Sequence, residues 1–258
     1  MRYYNGMRVT RKDYLRLLAL EKEVKKLQLF RPAQSGFDFR DWPIIKPIAG
    51  VNDFEIKEVH WEYIPPNVYD EIQLQQSRQH YMWLNARSEN LFVNERGQLS
   101  MYREGALKGR CLVLSSGFYE WRHIPRTGKK GQALKATEAV PYYITLKEKP
   151  GDVFYMAGVS REWTNEKRGQ SADTFAIVTT EANELMQQVH NTKKRMPTIL
   201  TEELAKEWLW GKLDENDISA IARYQYDAGK MMAWPVEKKF IDKTNPDEEF
   251  YYEHLPAL

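Results

Sequence analysis

The chain of 258 residues carries a single cysteine, Cys111. One thiol makes neither an internal disulfide nor a zinc site of cysteines, and it points to a reducing, cytoplasmic compartment. The five histidines (His60, His80, His123, His190, His254) include no His-x-x-x-His pair. No metal site and no cofactor are therefore expected. Neither Gly-x-x-x-x-Gly-Lys-Ser/Thr nor Gly-x-Gly-x-x-Gly occurs, so mononucleotide-loop and Rossmann readings lack support. No apolar run approaches the ~18 residues of a membrane helix. The start, Met-Arg-Tyr-Tyr-Asn-Gly, has no apolar stretch of the kind a secretory signal needs. Charge of one sign is also missing: 38 basic residues face 36 acidic ones, a net of +2. Bulk charge thus gives no draw toward nucleic acid and leaves only a local basic surface open.

Hydrophobic residues make up 42% and aromatics 13%, which suits a folded core and excludes a mostly disordered chain. Thr10 followed by Asp13 opens an expected helix, with Leu17, Leu20, Val24 and Leu27 at helical spacing. Thr201 caps another, with Glu202 and Glu203 in its first turn and Leu204, Ala205, Trp208 and Leu209 facing inward up to Gly211. Short helices are predicted from Thr180 through Glu184–Gln188 and over Ile218–Ala222. Strands are predicted over Glu58–Ile64, Leu112–Leu114, Phe118–Trp121, Tyr142–Leu146, Phe154–Val159 and Phe175–Thr179. Arg126–Gly131 and Thr164–Ser171 read as exposed loops. Strands spread along the whole chain favour one α+β domain: a mostly antiparallel, barrel-like sheet core with flanking helices. The main domain is expected over residues 1–240. Residues 241–258, with five acids and one base, form an acidic C-terminal extension.

Four segments remain to be weighed for chemistry. In Asn85-Ala86-Arg87, an orienting amide and a cationic fork project to one side of an extended segment, or else form a structural turn. In Phe118-Tyr119-Glu120-Trp121, Glu120 sits among aromatics, where desolvation suits acid/base work; the other reading is a wet strand face. Cys111 reads as a small buried hydrophobe. His190 falls at or just past a helix end, where an imidazole can face a cleft, though lone histidines are often structural. Lys193-Lys194-Arg195 forms a local cationic cluster or a solvated loop. Trp234-Pro235-Val236 reads as a strand edge without chemistry of its own.

Taken in order, Asn-Ala-Arg-Ser-Glu (85–89), Arg-Cys-Leu-Val to Gly-Phe-Tyr-Glu-Trp (110–121), Thr-Thr-Glu-Ala-Asn (179–183) and His to Arg-Met-Pro-Thr-Ile-Leu (190–200) resemble the motifs of the SOS-response-associated peptidase family. Its members are abasic-site processing proteins. The resemblance implies a single α+β domain around a barrel-like sheet, with a basic groove for single-stranded DNA. It implies a sensor of abasic sites in the DNA damage response, active as a monomer, with peptidase-like self-processing. In that family an N-terminal cysteine, exposed at position 2, adds its amine and thiol to the abasic aldehyde and closes a thiazolidine crosslink. By position, Asn85 matches the residue that orients the terminus. Glu120 matches the one that assists N-terminal processing and proton transfer, and His190 the one that handles protons at the sugar. Arg87 matches a phosphate-binding arginine, and Lys193, Lys194 and Arg195 would add to the DNA-binding surface.

The chain departs from that pattern at the nucleophile. Position 2 is Arg2, which has no thiol and stays protonated. Initiator Met is retained before a bulky second residue, so Met1 is expected to supply the α-amine. The alternative function is a single-stranded DNA-binding module without covalent chemistry. A protease acting on other proteins is disfavoured, because no nucleophile–base pair is evident. A second departure is Leu114-Ser115-Ser116, where many relatives carry Pro-Ala-Asp; it is expected to alter a turn without touching the site residues named above.

Overall fold

The structure is a computed structural model that describes residues 4–8, 30–51, 53–128, 132–148 and 152–258. Arg2 and the helix expected from Thr10 lie outside the described residues.

Thirteen strands are described in chain order: β1 (Tyr4–Arg8), β2 (Phe30–Ser35), β3 (Asp41–Pro47), β4 (Phe54–Trp61), β5 (Asn85–Arg87), β6 (Arg110–Ser115), β7 (Gly117–Thr127), β8 (Ala133–Leu146), β9 (Phe154–Asn165), β10 (Gln170–Glu181), β11 (Arg195–Pro197), β12 (Ile199–Leu200) and β13 (Met231–Pro235). Five helices accompany them: α1 (Glu71–Arg78), α2 (Arg103–Lys108), α3 (Glu184–Val189), α4 (Glu202–Trp210) and α5 (Glu215–Ala222). Strands β4, β3, β6, β9 and β10 pair in a ring that closes through the parallel β10–β4 contact. All other pairs in that ring are antiparallel. A second antiparallel sheet runs β13-β8-β7-β1-β2. The expected α+β barrel-like core is therefore present.

Buried aromatics explain much of this closure. Trp42, Trp61 and Trp208 are fully buried, and each indole N–H needs an acceptor to offset the loss of water. Trp42 donates to the Leu114 carbonyl (2.8 Å) and Trp61 to the Leu84 carbonyl (3.0 Å). Trp208 donates to the Cys111 carbonyl (3.1 Å), which seats α4 over β6. Arg110 binds the carbonyls of Trp208 (2.6 Å) and Gly211 (2.7 Å), placing a cation at the α4 C-terminus.

Several boundaries differ from the sequence reading. The strand predicted over Glu58–Ile64 stops at Trp61; Glu62, just past its end, is buried and neutralised by Arg78 (2.5 Å). Thr180 lies in β10, and Asn183 caps α3 by accepting from the Met186 N–H (3.0 Å). The strands predicted on either side of Ser115-Ser116-Gly117 lie in different sheets: β6 belongs to the barrel and β7 to the second sheet. Gly117 is required at that crossing, since a Cβ there would meet the Tyr143 ring at 2.1 Å. The two loop predictions shrink, as β7 reaches Thr127, β9 reaches Asn165 and β10 starts at Gln170. Thr201 caps α4 as expected, with Leu204 only partly buried.

Residues 241–258 lie against the second sheet. Val236 bridges Glu249, Tyr252 OH donates to the Val236 carbonyl (2.9 Å), and Arg122 binds the Pro256 (2.7 Å) and Ala257 (3.1 Å) carbonyls.

Candidate functional site around Glu120 and His190

Strand alternation decides which way Glu120 points. Phe118, Glu120 and Arg122 share one face of β7, while Tyr119 and Trp121 pack on the other with Phe240. Glu120 is only 1% exposed, so the wet-face reading fails. Its cross-strand partner is Tyr142 on β8.

His190 caps the C-terminus of α3 and is 3% exposed. Its Nδ1 lies 2.9 Å from the Arg195 carbonyl oxygen. The Arg195 amide nitrogen also lies 3.3 Å from Nδ1. The shorter contact assigns the tautomer, because a carbonyl only accepts, so Nδ1 carries the proton. Nε2 is then a lone pair, 3.9 Å from Glu120 Oε2. Burial pushes the imidazole down to about 4, against the opposing effect of the Arg195 carbonyl. His190 is thus neutral at physiological pH and available as a base.

Asn85 enters from β5, which runs parallel to β10, with Ala86 buried between Asn85 and Arg87. A cavity of about 20 Å³, room for about one water oxygen, is lined by Asn85, Glu120, Tyr4, Asn5 and Trp61 among others. The register Asn5↔Phe118, Tyr4↔Tyr119 steps β1 toward Glu120 as the chain runs back to its start. Asn85, Glu120 and His190 are therefore brought together, and β1 joins them.

The cationic candidates behave differently from one another. Arg87 is exposed and meets the exposed Glu95 (2.8 Å). Lys193 and Lys194 are exposed on the loop after α3. Arg195 is engaged: it makes a two-pronged contact with Glu89 (2.6 and 2.9 Å) and reaches the Thr179 carbonyl (2.6 Å). Burial alone would raise the Glu89 carboxyl, but the Arg195 hydrogen bonds outweigh it and hold it below its usual range. Arg195 thereby ties β11 and β10 to the Asn85–Glu89 segment.

Tyr4 and Asn5 were missed by the sequence reading. Asn-Gly ordinarily signals a turn, so nothing in the pair Asn5-Gly6 foretells a strand position. Ser115 was also underestimated. Its hydroxyl donates to Asn5 Oδ1 (2.5 Å), so the departing turn reaches the cavity through β1, at a residue outside those named from the sequence.

A model of the SOS response associated peptidase (SRAP) family matches residues 13–242. The chain belongs to the SRAP family. Among SRAP relatives, it is 31% identical over 198 residues to abasic site processing protein YoqW of Bacillus subtilis, covering 76% of each chain. It is 25% identical over 243 residues to abasic site processing protein YedK of Escherichia coli, covering 93% of this chain and 94% of the relative. A crystal structure of a protein from Bacteroides thetaiotaomicron superimposes with a TM-score of 0.77 at 28% identity, covering 96% of this chain and all of the other. Among the described residues of this SRAP chain, no group of three or more His, Cys, Asp or Glu could hold a metal. No described helix is long and apolar enough to cross a membrane.

Proposed function

We propose that this protein processes abasic sites in single-stranded DNA, capturing the ring-opened sugar aldehyde at its N-terminus. The observation that carries the reading is the convergence of Asn85, Glu120 and the start of β1 on one small cavity, with neutral His190 beside Glu120. Curated relatives named as abasic site processing proteins support the same substrate.

Position 2 is arginine, so no thiazolidine can close there. The remaining nucleophile is the α-amine. Its nitrogen adds to the aldehyde carbon and gives a hemiaminal; loss of water then gives an imine. The amine must be neutral when it attacks, and the departing hydroxyl must be protonated. Glu120 and His190 are suited to moving those two protons, as neighbouring groups in different environments. Met1, which carries that amine, is three peptide units before Tyr4, hence within about 11.4 Å of it by Cα spacing. Arg87, Lys193 and Lys194 supply exposed cations for phosphates.

A hydride reductant tests this reading. The 258-residue chain incubated with abasic single-stranded DNA and reductant should give a covalent adduct that maps to its N-terminal peptide. Undamaged DNA should give none. Salt-sensitive binding without any trapped adduct would instead favour the non-covalent DNA-binding module.

A further inference from the structure

Asn5 is 1% exposed, and its Oδ1 has two donors: the Ser115 hydroxyl (2.5 Å) and the Gly6 N–H (3.1 Å). Those contacts determine how the amide is turned. Reversed, Nδ2 would face the Gly6 N–H, donor against donor. Nδ2 is thus the free end, and among the described residues it has no hydrogen-bond partner. A buried amide donor left unsatisfied is destabilising, so such a group in a binding site is a donor awaiting an acceptor. Asn5 lines the same cavity as Glu120 and Asn85, and that cavity has room for about one oxygen atom.

We propose that Asn5 Nδ2 is the hydrogen-bond donor that holds the oxygen of the abasic aldehyde while the hemiaminal forms. This rests on the abasic-site reading above. When the amine nitrogen bonds to the aldehyde carbon, the C=O π pair moves onto oxygen. That oxygen becomes an alkoxide, accepts from Nδ2–H and takes up one proton that the nitrogen gives up; a second proton from the acid/base pair lets it leave as water, and the nitrogen returns its other proton to that pair as the imine forms. A donor fixed in advance toward the developing charge needs no reorganisation at the moment of reaction. Ser115 is the positioning residue: it holds Oδ1 and so leaves Nδ2 as the free donor.

Asn5→Asp provides the sharp test, because it keeps the acceptor for Ser115 and Gly6 and replaces only the donor. Asn5→Ala removes both. Initial rates of hydride-trapped adduct formation are compared with single-stranded DNA affinity and thermal melting. The same three chains are also made in an Arg2→Cys background and followed by thiazolidine crosslinking. The expected result is a loss of about 10²-fold in rate for both variants, with DNA affinity changed less than twofold and Asn5→Asp still folded. A folded Asn5→Asp that reacts at the parent rate while Asn5→Ala is slow shows a purely structural role and overturns the proposal. If neither parent background forms any adduct, the abasic-site reading falls, and the role of Asn5 falls with it.

Discussion

His190 Nε2 lies 3.9 Å from Glu120 Oε2, with both side chains buried and the far ring nitrogen of His190 engaged by the Arg195 carbonyl. Two titratable groups on different elements are thereby held face to face beside the first described strand. The helix cap positions one and the alternation of β7 positions the other. Neither residue type is unusual alone; the pairing is what makes acid/base work possible.

The depressed His190 pKa has a consequence for stability. The unfolded imidazole takes up a proton below about 6.5, whereas the folded one does so only near about 4. Stability from this group is therefore fully present above pH 6.5 and lost as pH falls from there toward 4, by a few kcal/mol at most. Melting temperature measured from pH 7.5 to 4.5 should fall more steeply in the parent than in His190→Gln. Parallel curves for the two chains would contradict the assignment.

Cys111 is fully buried in β6, and burial pushes its thiol up to about 12. A thiol so placed is neither nucleophile nor oxidation target. Thiol-labelling reagents should modify the native chain at the rate of unfolding and the denatured chain at once. Rapid labelling of native protein would refute this, and Cys111 would become a candidate nucleophile in place of the missing cysteine.

Arg87 and Arg195 should separate cleanly. Arg87→Ala removes an exposed cation whose ion pair with Glu95 contributes less than about 1 kcal/mol. It should leave melting nearly unchanged, weaken single-stranded DNA binding and reduce the salt slope by about 1. Arg195→Ala breaks the contacts to Glu89 and Thr179 and should lower the melting temperature by several degrees. The two variants, followed by melting and by salt titration of binding, report this directly.

Ser115 joins the barrel to β1 through Asn5 and Gly6, and to β7 through Gly117. Ser115→Ala leaves Asn5 Oδ1 with one donor fewer in a buried setting and should cost about 1–3 kcal/mol. It should also slow adduct formation, because β1 lines the site. Chemical denaturation gives the first quantity and reductant trapping the second.

The barrel strands were legible in the sequence because β-branched and aromatic runs such as Phe154–Val159 and Phe175–Thr179 carry their own signal. So did Thr201, which caps α4. Glu62 was not legible as a buried carboxylate, since its neutralising Arg78 comes from a helix that no strand pattern announces. Nor could spacing show that Arg195 is tied to Glu89, 106 positions away in sequence. Asn5 had no local signature at all: its importance comes from a cross-chain hydroxyl at Ser115. Asn85, Glu120 and His190 were legible by residue type and setting, with their roles implied by the motif resemblance, and the fold brings the three together.

The most direct measurement is intact mass after incubation with abasic single-stranded DNA without reductant, for the parent and for Arg2→Cys with its initiator Met removed. The expected result is no heat-stable adduct with the parent and a stoichiometric crosslink with Arg2→Cys, lost again when Glu120→Gln is added. An Arg2→Cys chain with a free N-terminal cysteine that binds the DNA yet forms no crosslink would contradict it.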